Sequence, residues 1–506
     1  MNIAIDMQPF YSWHSTRGIG RYWRNLVNAM FSQDNDNKYF LINFYGEIPS
    51  CRKIGKQLSS RIEKNIFPVD CYSEAKSFLT QVPTLSSSAF FKEKINSVVS
   101  NFNIQIFFLG AAVDQYSVYE PNFFDSGNCK LVSVVYDLIP LLFKSEYLSG
   151  AYEKTYLQQL RLYGVSDLIF SDSNTTKKDV VELLGVEENK VKTIYAGIDN
   201  KFTKKPYTFD YVKSLKNKYG IKDEYIFSNL ADDKRKNIDG IVQAFCSLPD
   251  NLSKKYQLVV TCSMRSEEIK KYTDYASGFG LGGQVVFTNF IPDDELVCLL
   301  NNAKLAVFLS KYEGFGFPII EAWSCGVPVV TSNNSSCGEI ANQVAVTADP
   351  NDISSMRDAI ADSLTDNNLS RFVEKGFEEV KKYTWEHVAE SVLNEINNIM
   401  LSSKSVTKQN MLLDLMLENI ELKSHLVDNV KAESVSSCDN GRHSLVIYGI
   451  GRIGRYILES GKYKEISKQV VAICDNSFRE SHYVNIPVLR HNECIRRYSD
   501  ALYLVT

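Results

Sequence analysis

Two carboxylates, Glu313 and Glu321, stand eight residues apart in Tyr312-Glu313-Gly314-Phe315-Gly316-Phe317-Pro318-Ile319-Ile320-Glu321-Ala322, which runs on to Cys325-Gly326-Val327-Pro328-Val329-Val330. Pro318 suits a first helical position and Gly326 a helix end. Val327 to Thr331 reads as a buried strand. A helix that starts behind a glycine turn offers free N–H groups and the positive end of its dipole, a ready site for an anion. Glu313 belongs to the loop at that site. Glu321 belongs to the first turns of the helix, on a face the loop residue can also approach. Glutamates at this spacing are common by chance; the glycines, the proline and the Gly-x-Pro-Val-Val sequel make the pattern specific.

This segment closely resembles the Glu-x7-Glu signature of the family-4 retaining glycosyltransferases, which have the GT-B fold. The resemblance covers roughly the first four hundred residues. It implies transfer of a sugar from a nucleoside diphosphate donor to an acceptor hydroxyl. Such chemistry holds the nucleotide, stabilises charge developing on the diphosphate, and orients an oxocarbenium-like sugar; the electrostatic part is usually the largest. Lys234-Arg235-Lys236-Asn237, at a turn before the helix at Ile238, resembles the family's Arg-Lys-Asn, whose lysine contacts the donor phosphates. Lysine acts there as a point charge and arginine as a fork. On spacing alone a solvated basic turn is the simpler reading; the glutamates downstream favour function. The family usually has a glycine several residues earlier. This chain has Leu230 and Ala231, which leaves any second positive contact to Arg235. Glu321 resembles the second family glutamate, which accepts from the ribose hydroxyls. Glu313 resembles the first, which contacts the transferred sugar, with Gly314, Phe315 and Gly316 as the donor-binding turn beside it.

Arg17-Gly18-Ile19-Gly20-Arg21-Tyr22 follows the first strand and resembles the family's Gly-Ile-Gly-Arg-Tyr loop, which closes over the donor phosphates and the acceptor, so Gly18 and Gly20 join the donor-binding set. Alone it would be an ordinary tight turn. Ser335, Ser336 and Glu339 match the family's Ser-Ser-x-x-Glu. Glu339 reads equally well as a further donor-side contact or as a cap of the next helix. The clearest departure is Tyr136-Asp137, where the family commonly has His-Asp with the histidine near the reacting sugar. Tyrosine donates a hydrogen bond but does not titrate near neutral pH. In the resembled family the leaving phosphate is thought to take the acceptor proton, so a histidine base is not strictly needed. Two readings follow: an active hexosyltransferase with Glu313, Lys236, Arg235, Tyr136 and Asp137 at the reacting centre, or a catalytically inactive nucleotide-binding or scaffold protein of the same fold. The pairing of Gly-Ile-Gly-Arg-Tyr with Arg-Lys-Asn resembles members that build bacterial surface polysaccharides, often from GDP-mannose. The acceptor implied is a growing glycan. A lipid-linked one would bring the protein to the inner face of the membrane without spanning it.

The elements that must position these residues alternate. Strand patterns at Ile3–Met7, Tyr39–Phe44, Ile104–Leu109, Leu131–Tyr136, Leu168–Ser171 and Lys192–Tyr195 interleave with helical ones at Arg21–Met30 and Asn174–Leu184. A lysine-rich polar stretch from Asn200 to Lys222 precedes a second such series up to the glutamate signature. The α/β alternation predicts two doubly wound Rossmann-like domains, with a cleft at the carboxyl ends of their strands. The boundaries read as 1–204, the acceptor side, and 205–384, the nucleotide-sugar side. A helix over 385–402 crosses back to the first domain in the resembled family. Residues 403–440 carry Leu413, Met416, Leu417, Ile420 and Val427 at helical spacing, for a linker helix or an oligomerisation helix. Residues 441–506 read as a Rossmann-like half-domain. Gly449, Gly451 and Gly454 follow the strand Leu445–Tyr448, and Asp475 follows Val470–Cys474, a pattern that fits NAD or another nucleotide, or a packing turn.

Bulk properties narrow the classes further. The 506 residues suffice for about three domains. A hydrophobic share of 44% and a charged share of 23% fit a soluble globular protein. A net charge of −4 without a basic tail gives no nucleic-acid surface. No apolar run of about 18 residues predicts a membrane span, and the strand pattern from Asn2 leaves no room for a signal peptide. Eleven scattered cysteines without a Cys-x-x-Cys pair suit a reduced, cytoplasmic compartment. The six histidines avoid residues 15–386, which disfavours a histidine metal cluster or a Ser-His-Asp triad there. Asp34-Asn35-Asp36 mimics a metal-binding Asp-x-Asp but reads as a solvated turn. With Lys236 available, no divalent metal is required.

Overall fold

The structure, a computed structural model, describes residues 1–11, 18–44, 66–71, 87–114, 117–124, 127, 129–222, 224–366 and 369–401, together with five short strands beyond them. Strands β1 (Asn2–Asp6), β2 (Lys38–Asn43), β3 (Ile66–Asp70), β4 (Ile106–Leu109), β5 (Lys130–Val135), β6 (Leu168–Ser171) and β7 (Val191–Thr193) form one sheet in the order β3-β2-β1-β4-β5-β6-β7. A second sheet is built from β8 (Glu224–Asn229), β9 (Tyr256–Thr261), β10 (Val285–Phe287), β11 (Leu305–Phe308), β12 (Val329–Ser332) and β13 (Val346–Ala348), in the order β10-β9-β8-β11-β12-β13. All pairings in both sheets are parallel. Runs such as Ile-Phe-Phe-Leu in β4 and Leu-Ala-Val-Phe in β11 are buried at every position, as strands covered on both faces must be. Each sheet reverses its winding once, between β1 and β4 and between β8 and β11, which opens a crevice at the carboxyl ends of the strands. This is the doubly wound α/β architecture read from the sequence. Strands β3 and β13 carry no apolar run long enough to have announced them.

Six helices frame the crevice: α1 (Gly18–Gln33), α2 (Asn174–Leu184), α3 (Ile238–Cys246), α4 (Phe317–Ser324), α5 (Ser335–Ala341) and α6 (Trp385–Leu401). The polar stretch between the sheets is not a bare linker. It holds a helix, Phe209–Tyr219, capped by Thr208 and stopped by Gly220 at φ 72°. Its buried face is little more than Leu215, so its lysines dominate the sequence pattern. Helix α6 packs on α1 of the first domain, burying Val388, Ala389, Val392 and Ile396 in one core with Tyr22, Leu26, Val27 and Met30. Trp385 sits edge-on to Tyr22 with ring centroids 5.1 Å apart. A Cβ on Gly197 would stand 2.5 Å from the Trp385 amide nitrogen, so only glycine admits the chain there.

The remaining strands, β14 (Leu445–Tyr448), β15 (Val470–Cys474), β16 (His482–Tyr483), β17 (Ile486–Leu489) and β18 (Leu502–Val505), pair in the order β16-β17-β15-β14-β18. Only the β16–β17 pair is antiparallel. Gly449, Gly451, Gly454, Asp475 and the helical pattern over 403–440 lie outside the described residues. Among the described residues no helix is long and apolar enough to cross a membrane.

Removing the Trp385 ring should loosen the seam between the two domains. Trp385→Ala is expected to lower unfolding stability by about 3 kcal/mol or more, read from the shift in urea midpoint. An unchanged midpoint would show that α6 is not part of the cooperative core.

Candidate active site

The turn Lys234–Lys236 is organised before it meets any partner. Asp233 caps it, its Oδ1 accepting from the Arg235 N–H at 3.0 Å. Asn237 then turns the chain into α3 with φ 60°, a left-handed conformation that asparagine tolerates. Its buried side-chain amide donates to the carbonyls of Leu309, at 3.0 Å, and Pro350, at 2.8 Å. The asparagine of the basic motif thus anchors the turn that aims the two cations. Both point at one group. Arg235 Nη1 lies 2.5 Å from Glu313 Oε2, and Lys236 Nζ lies 2.6 Å from Glu313 Oε1. Arg235 also donates to the Tyr312 carbonyl at 3.0 Å, and its Nε lies 3.3 Å from Asp233.

Glu313 is only 8% exposed. Burial alone would raise its pKa, but Lys236 and Arg235 outweigh this and hold the carboxyl down at about 2. It therefore stays ionised at any physiological pH.

The glycines of the loop have separate reasons. A Cβ on Gly314 would sit 2.1 Å from the Tyr136 carbonyl oxygen, so the second domain's loop lies directly on the first domain's backbone. Gly316 starts α4 at φ 111°, where side chains are strained. Phe315 is buried against Phe317, Tyr383 and Tyr195. Gly18 opens α1 and Gly20 is buried within it.

Glu321 lies 3% exposed in α4, and its Oε1 receives Arg21 Nη1 at 2.5 Å. Arg21 comes from α1 across the crevice. Its Nε lies 2.5 Å from Asp199, and its guanidinium covers the rings of Phe202 and Phe317. The two glutamates of the signature are thus each paired with basic residues, Glu313 within its own domain and Glu321 across the crevice. Sequence reasoning had not assigned Arg21 this contact.

Tyr136 is anchored through its hydroxyl. It donates to the Gly110 carbonyl at 2.8 Å, and the ring stands edge-on to Tyr22 at 5.2 Å. Burial pushes its pKa well above the ordinary tyrosine value. Asp137 accepts from the Ile139 N–H at 2.9 Å, and burial raises its pKa against the lowering influence of Arg235. Both line a cavity of about 380 Å³ that also takes in Tyr147, Tyr152 and Tyr156 from the first domain and Asp233 and Arg235 from the second. Tyr147 donates to Asp233 at 2.5 Å, bridging the domains at its rim. These three tyrosines were missed in the sequence. Only the four-residue spacing of Tyr152 and Tyr156, one helical face, hinted at them.

Asp34 spends its carboxylate inside its own turn, accepting from the Asp36 N–H at 2.9 Å and the Asn37 N–H at 3.1 Å. Among the described residues no cluster of histidine, cysteine or carboxylate side chains could hold a metal ion. Ser335 and Ser336 hold the Glu313 backbone: Ser335 Oγ accepts from its N–H at 3.2 Å, and Ser336 Oγ donates to its carbonyl at 2.9 Å. Glu339 caps a helix, but one in the other domain, accepting from the Asn174 and Thr175 N–H groups at 2.8 Å each.

Beneath the crevice, at the end of β1, Asp6 is fully buried. Its Oδ1 accepts from the Gln8 N–H and the Tyr119 hydroxyl, both at 2.9 Å. Desolvation raises its pKa from 3.8 to about 7. A carboxyl raised on folding binds a proton the unfolded chain has released, so its contribution is present below about pH 4 and is lost as pH rises through about 7. Asp6→Asn should therefore flatten the fall in melting temperature across that window. A slope identical to that of the wild type would contradict the assignment.

With this geometry in place, the likenesses to known proteins gain meaning. Residues 212–379 match the family model for glycosyl transferases group 1. The serotype-specific mannosyltransferase WbdA of Escherichia coli is 28% identical over 411 residues, covering 80% of this chain and 49% of that protein. The O-antigen chain mannosyltransferase B of Escherichia coli is 34% identical over 161 residues, covering 32% of this chain and 42% of that protein. The chain spans about half the length of these curated relatives. Among solved structures, HepE from Anabaena in complex with UDP and glucose aligns with a TM-score of 0.57 at 15% identity, over 79% of this chain and 100% of that one. Residues 212–379 thus resemble a group 1 glycosyl transferase domain, and the chain shares with HepE the GT-B architecture of two facing Rossmann-like sheets.

Proposed function

We propose that this protein is a retaining, metal-independent hexosyltransferase that moves mannose, from GDP-mannose, to a sugar hydroxyl of a growing surface polysaccharide. The observation that carries the reading is the convergence of Arg235 and Lys236 on Glu313. A donor diphosphate would take the two cations, which stabilise the charge that builds as the glycosidic bond breaks. Glu313, released from them, turns to the hydroxyls of the transferred sugar. Glu321 takes the ribose hydroxyls, exchanging them for Arg21. The tyrosine-lined cavity, which Arg235 also lines, receives the acceptor, whose sugar faces suit aromatic rings.

The mannose assignment draws on the mannosyltransferases the chain resembles. Tyr136 is held by Gly110 and cannot serve as a base, so the acceptor proton passes to the departing phosphate oxygen. The same tyrosine motivates a second reading, a nucleotide-binding scaffold without turnover. A lipid-linked acceptor and a place at the inner membrane face belong to the first reading and extend it.

Metal-free calorimetry with GDP and UDP on the full chain tests the donor site. One diphosphate should bind, and Lys236→Ala should weaken it on the order of tenfold to a hundredfold. Transfer of mannose from GDP-mannose to a mannobiose acceptor tests turnover. Tyr152→Ala should raise the acceptor KM while leaving diphosphate affinity unchanged. Binding of neither diphosphate overturns the proposal; binding without any transfer moves the protein to the scaffold reading.

A further inference from the structure

Glu339 belongs to the second domain, yet all the partners of its carboxylate belong to the first. Oε1 accepts from the Asn174 N–H at 2.8 Å and the Tyr195 hydroxyl at 2.9 Å. Oε2 accepts from the Thr175 N–H at 2.8 Å and the Thr175 hydroxyl at 2.9 Å. Among the described residues no lysine or arginine forms an ion pair with it.

The first turn of α2 explains this arrangement. A helix start leaves its first N–H groups without intrahelical partners. The capping Ser173 satisfies that of Thr176, at 3.0 Å. Those of Asn174 and Thr175 are satisfied from the other domain, by a carboxylate that also meets the positive end of the helix dipole. The same turn of α2 grips the signature loop. Ser173 Oγ donates to the Gly314 carbonyl at 2.6 Å, and Thr176 Oγ1 approaches it at 3.3 Å. Helix α5 meanwhile fixes the Glu313 backbone through Ser335 and Ser336. One short helix therefore holds the loop of Glu313 at its start and the first domain at Glu339.

We infer that Glu339 is a positioning residue: by capping α2 across the crevice it sets the register between the two domains, and so the place of Glu313 relative to Tyr136–Asp137. The inference rests on the proposed reading of the Glu313 loop as the donor site. It assigns Glu339 to domain alignment and not to donor contact, so its loss should act on the rate of transfer and not on donor affinity.

The test uses the full-length chain with Glu339→Ala and Glu339→Gln, read by hydrogen exchange and by transfer kinetics. In Glu339→Ala the amides of Asn174 and Thr175 should exchange about tenfold faster or more, with those of α3 unchanged. The kcat should fall about tenfold or more while the donor KM stays within about twofold. Glu339→Gln keeps one acceptor oxygen and should recover much of both. Tyr195→Phe, which removes a single bond to the same carboxylate, should give a small shift in the same direction and serves if Glu339→Ala does not fold. Unchanged protection of the two amides overturns the clamp. A raised donor KM at unchanged kcat overturns the positioning role in favour of direct donor contact. If the wild-type chain transfers no sugar, the proposed function fails, and the exchange comparison alone decides whether the clamp exists.

Discussion

A buried carboxylate with two cations on it is the arrangement around which the rest of this crevice is built. Bringing Glu313, Arg235 and Lys236 together out of water costs several kcal/mol per ion, and mutual attraction in a poorly polarisable site offsets that only with close geometry. The fold supplies the geometry. Asp233 and Asn237 preset the turn that carries the cations, and Ser335 and Ser336 fix the backbone of the carboxylate. Such a cluster is a poor way to stabilise a protein, since apolar residues of similar volume often do as well. It is well suited to a site where an incoming anion is to take over the cations.

The crevice is also where the two domains are fastened, and many of the fastenings are polar. Tyr147 to Asp233, Tyr312 to Asp179, Arg21 to Glu321 and Glu339 to the start of α2 all cross it. The apolar seam lies elsewhere, where α6 returns to α1 and Trp385 packs on Tyr22. This division has a mechanical meaning. A buried apolar seam holds whatever the crevice contains, whereas hydrogen bonds exposed to a ligand can be exchanged for hydrogen bonds to that ligand. Gly314 lets the two domains meet backbone to backbone, because a Cβ there would stand 2.1 Å from the Tyr136 carbonyl oxygen.

Much of this was legible in the chain. Apolar runs of strand length alternating with helical patterns gave the two doubly wound sheets, because parallel strands buried on both faces leave an unmistakable pattern. The glutamates, the basic turn and the glycines were legible through their resemblance to a known family motif; on spacing alone the basic turn reads as a solvated one. What stayed hidden was pairing at long range. Nothing near Arg21 in the chain announces Glu321, and nothing near Glu339 announces Asn174. The helix Phe209–Tyr219 lies hidden in a lysine-rich polar stretch because one buried leucine cannot outweigh its lysines. Tyr136 was recognised as a departure from the resembled family, but that its hydroxyl turns inward to Gly110 depends on β4, more than twenty residues away.

The central claim is that Glu313 neutralises Arg235 and Lys236 until a diphosphate replaces it. Calorimetric titration of GDP into Glu313→Gln, beside the wild type, tests it most directly. Glutamine keeps the shape and removes the charge that competes with phosphate, so the account predicts tighter diphosphate binding in the variant than in the wild type. Weaker binding in Glu313→Gln would contradict it, because the carboxylate would then be building the anion site and not holding its place.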